Sequence, residues 1–193
     1  MKKPVCILEY AIEPPGCEHD VAFVPPMTRR RLSPLQRIYF SLAAKVGTVP
    51  YESSVFACRD GEDSLTRRLV EDFNGDGSVS PHRFSTSVYN AAPGLWSVFK
   101  RNRAAYTAVA SGEGTIEAGL LEALSGPLPA LFVYAEETGG GYGAAMLLGS
   151  DGSAPVVAAP GDPSAPPMGF DALAAFLSGS APSLTGRWLS LRR

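Results

Sequence analysis

Tyr106-Thr107-Ala108-Val109-Ala110-Ser111-Gly112-Glu113-Gly114-Thr115-Ile116-Glu117-Ala118-Gly119 is the stretch whose reading decides the fold. Tyr106 to Val109 is a short strand-forming run. It passes directly into small residues and glycines. A helix from Thr115 to Leu124 follows, with Ile116, Ala118, Leu120, Leu121 and Leu124 spread nearly all round it. A helix apolar on most sides is normally packed inside a protein. A strand, a tight turn and a buried helix in direct succession point to an α/β fold.

The flanking sequence repeats this alternation. Ala130-Leu131-Phe132-Val133-Tyr134-Ala135 is a continuous apolar run, as expected of a strand buried on both faces. Gly139-Gly140-Gly141 then reads as a hairpin turn, with Tyr142 to Leu148 returning antiparallel. Upstream, Ser33-Pro34-Leu35-Gln36 carries a capping serine, a proline suited to the first helical position and a glutamine that completes a capping box. Leu35, Ile38, Tyr39, Leu42 and Val46 then form one helical stripe, and Gly47 stops it.

Val5 to Ile12 and Ser54 to Cys58 read as further strands. Asp63 or Ser64 caps another helix, with Leu65, Leu69, Val70 and Phe73 expected on its inner face and Asn74-Gly75 at its end. The segment around Leu95 to Phe99 reads as helical despite Pro93-Gly94. Phe170 to Leu177 reads as a last helix and Trp188 to Leu191 as a last strand. Residues 149–168 (GSDGSAPVVAAPGDPSAPPM) are crowded with proline and glycine and read as a flexible loop. The expected architecture is one α/β domain over 1–193, with a mixed, mostly parallel sheet and a late hairpin.

Composition excludes several classes. With 17 basic and 19 acidic residues the net charge is −2, so no overall basic field favours nucleic acid. No apolar run has the length of a membrane span, and the run behind basic Met1-Lys2-Lys3 stops at Glu9, short for a signal sequence. Three cysteines without framework spacing suggest a reducing, cytoplasmic setting. No motif calls for a cofactor.

The candidate sites are few. Asp72-Phe73-Asn74-Gly75-Asp76-Gly77 opens like a calcium loop, but the twelfth position, where a bidentate glutamate belongs, is Arg83. The stretch reads as a turn instead. His19 and His82 are the only histidines. Neither has metal spacing, Cys17-Glu18-His19 is too short to be a site alone, and both read as surface-loop residues. Arg29-Arg30-Arg31 concentrate charge beside a helix start and suit an acidic partner or a phosphate. Lys100, Arg101 and Arg103 are a second basic group that sequence alone does not bring to the first. Ser111 sits where a nucleophile gains from a helix N-terminus. A hydrolase elbow, however, needs glycines where Val109 and Glu113 stand.

Two segments carry a family resemblance. Phe84-Ser85-Thr86-Ser87-Val88-Tyr89-Asn90-Ala91-Ala92-Pro93-Gly94-Leu95-Trp96-Ser97 resembles the segment preceding the active site of β-ketoacyl synthases, and Tyr106 to Gly119 resembles their strand–nucleophile–helix element. Pro25 to Ser33 and Val133 to Glu137 fit the same pattern, so the likeness spans most of residues 22 to 150. It implies a thiolase-like half domain. Matching Gly114 and Gly119 to the family's glycines puts Ser111 where the catalytic cysteine belongs. A serine hydroxyl is a poor acyl acceptor without a base. The family's two catalytic histidines lie in a C-terminal half, which this sequence does not reach.

The resemblance therefore implies a non-catalytic accessory protein. Its partners would be a ketosynthase, an acyl carrier protein or both, in polyketide or fatty-acid-like biosynthesis of the aryl polyene type. Arg29, Arg30 and Arg31 would face the acidic carrier. The alternative is an acyl-thioester hydrolase or acyltransferase using Ser111, which requires a histidine beside it. A homodimer is a third possibility, since a lone thiolase-type half leaves apolar surface to cover.

Overall fold

In the computed structural model, which describes residues 5–193, the chain forms eight strands and seven helices; the basic residues 1–4 lie outside the described residues. In order these are β1 (Val5–Glu13), α1 (Pro26–Arg29), α2 (Pro34–Val46), β2 (Ser53–Ala57), α3 (Asp63–Asp76), α4 (Pro81–Ser85), α5 (Ala91–Lys100) and β3 (Ala105–Val109). A 3-10 turn at Gly112–Gly114 leads into α6 (Thr115–Ser125). Then come β4 (Ala130–Glu136), β5 (Tyr142–Gly149), β6 (Pro155–Pro160), α7 (Phe170–Ser178), β7 (Ser183–Thr185) and β8 (Leu189–Arg192).

The strands make one mixed sheet in the order β3-β2-β4-β5-β1-β6-β8-β7. Parallel pairing is confined to β3-β2-β4. Every other junction is antiparallel, so the parallel share is smaller than the alternating pattern suggested. The cause is the β4–β5 hairpin, whose return strand pairs along its length with β1. Its turn is built from Gly139, Gly140 and Gly141, all at positive φ, which glycine alone adopts without strain.

Helices cover both faces. Alternate residues of β4 divide between two cores: Phe132 faces Ile116 and Leu120 of α6, while Leu131 and Val133 face Leu35, Ile38 and Leu42 of α2. The capping box forms as expected, with Gln36 N donating to Ser33 Oγ at 3.0 Å and Ser33 N to Gln36 Oε1 at 3.1 Å. Trp96 of α5 is buried edge-on against Phe40 (5.1 Å between ring centres) and packs on Phe99 (5.7 Å). Such aromatic pairs contribute about 0.5–1.5 kcal/mol each beyond their buried area, and the Phe40–Trp96 pair fixes α5 on α2.

Two expected elements are corrected. Of the apolar residues on α3 only Leu69 is buried; Leu65 is half-buried, while Val70 and Phe73 face solvent. The stripe exists, but among the described residues nothing covers its Val70 and Phe73. The helix also runs through Asn74-Gly75 to Asp76 and ends at left-handed Gly77. Asp72, Asn74 and Asp76 are therefore helical and form no calcium loop, and Arg83 pairs with Asp72 at 3.0 Å. The second correction concerns 149–168. Val156 and its neighbours form β6, paired to β1 on one side and β8 on the other. Pro155 and Pro160 are its end residues, places in a strand where a missing N–H is tolerated.

Candidate functional site

Parallel strands β2 and β3 finish level, with Ala57 opposite Val109, and β4 runs two residues past Tyr134, its partner to Ala57. Ligands of parallel α/β sheets bind just past such carboxyl ends. Here Arg59 and Ser111 lie two residues past β2 and β3, and Glu136 is the last residue of β4.

Ser111 is exposed in the turn after β3, at φ −146° and ψ 41°. The Thr115 hydroxyl clamps that turn, accepting from Ser111 N at 2.9 Å and donating to Gly112 O at 2.7 Å. The two glycines that the resemblance singled out have packing reasons. A Cβ on Gly119 would lie 2.7 Å from Ala57 Cβ and 2.9 Å from the Phe132 ring. One on Gly114 would lie 2.6 Å from the Trp188 indole. These close approaches hold α6 against the sheet and bring the β7–β8 turn over the serine turn.

Two adjoining pockets flank the turn. One, about 360 Å³, is lined by Ser111, Glu113, Glu117, Arg187 and Trp188. The other, about 310 Å³, is lined by Arg59, Glu113, Tyr134, Tyr142 and Phe170. No histidine lines either. His82 is exposed on α4, and His19 is held elsewhere, so the imidazole base that a Ser111 nucleophile requires is not assembled.

Buried carboxylates are the groups that sequence reading missed. Glu117 accepts from Trp188 N at 2.9 Å and keeps its Oε2 buried without a partner. Glu136 accepts from Arg59 N at 2.5 Å and from Cys58 Sγ at 3.4 Å, tying the β4 end to the β2 end. Burial pushes the Glu136 carboxyl up, against the pull of those backbone donors, and drives the Cys58 thiol well above its usual range. Glu62, 3% exposed before α3, accepts from Gln36 Nε2 at 2.7 Å. Burial raises its carboxyl to about 7 despite hydrogen bonds from Ser33 and Gln36. The one sequence signal for such groups was position: Glu136 directly follows a buried apolar strand.

His19 is a correction to the surface-loop reading. Its ring is half-buried, with Nδ1 2.6 Å from Glu13 Oε2 and 3.9 Å from Cys17 Sγ. Ser41 Oγ (2.5 Å) and Lys45 Nζ (2.6 Å) donate to the other oxygen of Glu13.

Of the basic cluster, Arg30 and Arg31 are exposed and Arg29 is half-buried. Arg37 Nη2 donates to Arg29 O at 2.6 Å and secures the end of α1. None of Arg29, Arg30 and Arg31 forms an ion pair among the described residues. Lys100, Arg101 and Arg103 line a separate pocket with Thr48 and Tyr51, so the two basic groups do not share a site.

The outer side of β3 is unpaired. On β3 and the adjacent α5, Tyr106 (39%) and Val98 (75%) are exposed, and Phe73 (60%) and Phe84 (63%) are exposed on α3 and α4. Tyr106 packs beside Gly94 of α5, which places α5 next to this edge.

Residues 7–155 match the family model described as "Beta-ketoacyl synthase, N-terminal domain". No curated protein matches the chain significantly. Among solved structures, the chain is similar to one from a ketosynthase (ApeO) in complex with its chain length factor (ApeC) from Xenorhabdus doucetiae, with a TM-score of 0.80 and 18% identity. The alignment covers 98% of this chain and 99% of that one, so the two are of nearly equal length. At that identity the likeness is one of fold. No helix among the described residues is long and apolar enough to cross a membrane.

Proposed function

This chain belongs to the β-ketoacyl synthase N-terminal domain family, and on that premise we propose that it is a non-catalytic, chain length factor-like accessory protein. It pairs with a ketosynthase in an aryl polyene-type pathway. The exposed Arg30 and Arg31, with Arg29, meet the acidic acyl carrier protein. The observation that carries this reading is the bare edge of β3, among the described residues, beside α5 with its exposed Val98. An unpaired strand bordered by apolar side chains is a liability in a lone protein and a template for a partner. Two further points support it. Ser111 lies in a pocket without a histidine. A chain of nearly this length also occurs in the Xenorhabdus complex.

The test is co-expression with a ketosynthase from the same cells, with the mass of the complex measured by light scattering. A one-to-one complex is expected, lost in Val98→Asp, where the exposed side chain is dispensable to the monomer. A mass of two identical copies would move the reading to a homodimer. A lone protein that hydrolyses acyl thioesters, and stops doing so in Ser111→Ala, would replace it with the hydrolase or acyltransferase reading.

A further inference from the structure

The loop after β1 assembles a group of side chains that the proposed function does not use. Glu13 ends β1. Cys17 and His19 follow within six residues, and the ligand atoms of all three lie within 4.8 Å of one another. A carboxylate oxygen, a sulfur and an imidazole nitrogen are the donor set that zinc takes. We propose that Glu13, Cys17 and His19 hold a zinc-class divalent ion through Oε2, Sγ and Nδ1.

The distances favour this. Zinc sits about 2.3 Å from sulfur and about 2.0–2.1 Å from nitrogen or oxygen, so a tetrahedral site has edges of about 3.6 Å (sulfur to nitrogen) and about 3.4 Å (nitrogen to oxygen). The Cys17 Sγ–His19 Nδ1 separation is 3.9 Å, close to the first. The Glu13 Oε2–His19 Nδ1 separation is 2.6 Å and has to open by about 0.8 Å to admit the ion. A small ring rotation achieves that.

The surroundings hold the donors in place. Lys45 and Ser41, both on α2, occupy Glu13 Oε1 and leave Oε2 turned to the histidine. Outer hydrogen bonds of this kind orient metal ligands. The backbone of Gly16 is tied to the β4–β5 turn, with Gly16 N donating to Gly140 O at 2.9 Å. On the far side of the ring, a Cβ at Gly141 would stand 2.9 Å from His19 Nε2, so this glycine makes room for the imidazole.

Charge also fits. Glu13 meets Lys45 with one oxygen and His19 with the other, each at 2.6 Å, and neither contact involves Cys17. With the ion bound, the Cys17 thiol gives its proton to solvent and the His19 proton leaves Nδ1, the neutral ring keeping its proton on Nε2; carboxylate and thiolate together offset the ion's two positive charges, and Lys45 stays as a single positive charge beside the site. The fourth coordination position opens on a pocket of about 340 Å³ lined by Arg37, Glu137 and Gly140, where water completes the site.

The experiment uses the intact protein, stripped with a chelator and titrated with Co²⁺ and then Zn²⁺. One equivalent of Co²⁺ is expected to produce a thiolate-to-cobalt charge-transfer band, which Zn²⁺ abolishes by displacement. Cys17→Ser, a near-isosteric change in a half-buried position, is expected to remove the band and weaken Zn²⁺ binding by more than about 100-fold, beyond what loss of an outer hydrogen bond does. His19→Ala is expected to weaken it comparably, and Lys45→Met to weaken it by roughly 10-fold through loss of the hydrogen bond that orients Glu13. Circular dichroism checks that each variant is folded. Absence of the band in the wild type overturns the proposal. So does a band that survives in Cys17→Ser, which would place the thiolate at Cys6 or Cys58.

Discussion

Trp188 occupies the space in which a side chain on Gly114 would stand: a Cβ there would lie 2.6 Å from the indole. Adding one methyl at residue 114 must displace the ring. Gly114→Ala is expected to destabilise the fold by about 1–3 kcal/mol, the usual cost of overpacking. It also carries a spectroscopic signature. Trp188 is half-exposed and Trp96 is fully buried, so moving Trp188 outward shifts the summed fluorescence emission to the red without unfolding. Unchanged emission and unchanged urea midpoint would show that the ring is not seated on the glycine.

Two helical glycines are predicted to respond with opposite signs. Gly75 in α3 has open space where a Cβ would go, and Gly119 in α6 has Ala57 and Phe132. Gly75→Ala is expected to stabilise by about 0.5–1 kcal/mol through helix propensity. Gly119→Ala gains the same propensity but strains a rigid core contact, and is expected to be net destabilising by about 1–3 kcal/mol. Denaturant titration of the two variants decides the matter.

Glu62 makes stability depend on pH. Its folded value of about 7 stands above the ordinary 4.5 because burial penalises the charged form. Between these values the folded state binds more protons than the unfolded state, so stability falls as pH rises from about 4.5 to about 7. Below that window the group contributes nothing, and above it the full penalty, roughly 3 kcal/mol, is in force. Glu62→Gln is expected to be more stable than wild type at pH 8 and to lose this slope. Glu136 is raised in the same direction, so part of the overall slope persists in the variant. Parallel stability curves for the two proteins from pH 4 to 8 would remove the assignment.

Charge reversal of Arg30 and Arg31 is expected to slow association with acyl carrier protein by roughly tenfold at low salt and by less at high salt, because exposed charges steer encounters more than they hold complexes. Both side chains are exposed, so the fold is unaffected. Stopped-flow association rates at two ionic strengths test this, and an unchanged low-salt rate would remove the carrier-facing role.

What the sequence made legible was local. The Ser33–Gln36 capping box, the β4–β5 hairpin and the strand–turn–helix around Ser111 each depend on neighbours a few residues apart, and all three formed. Periodicity showed that α3 has an apolar face, but a pattern cannot say what covers a face, and here Val70 and Phe73 are left at the surface. β6 was hidden because its flanking prolines resemble loop chemistry, while its partners are the distant β1 and β8. Glu13 stands just past the Val5–Ile12 run, with no pattern to single it out. Its meeting with His19 and Lys45 depends on α2 packing across the sheet, which no spacing rule encodes.

The seal on the serine turn has a consequence for the order in which the molecule is made. Trp188 N bonds to Glu117, 71 residues earlier in the chain. During synthesis at about 5–20 residues per second, the turn and the first residues of α6 exist for roughly 4–14 s before residue 188 is available. For that interval the Glu117 carboxylate and the bare edge of β3 are open together. A partner of the kind proposed above, meeting the chain at that stage, would find Glu117 open before the β7–β8 turn covers it.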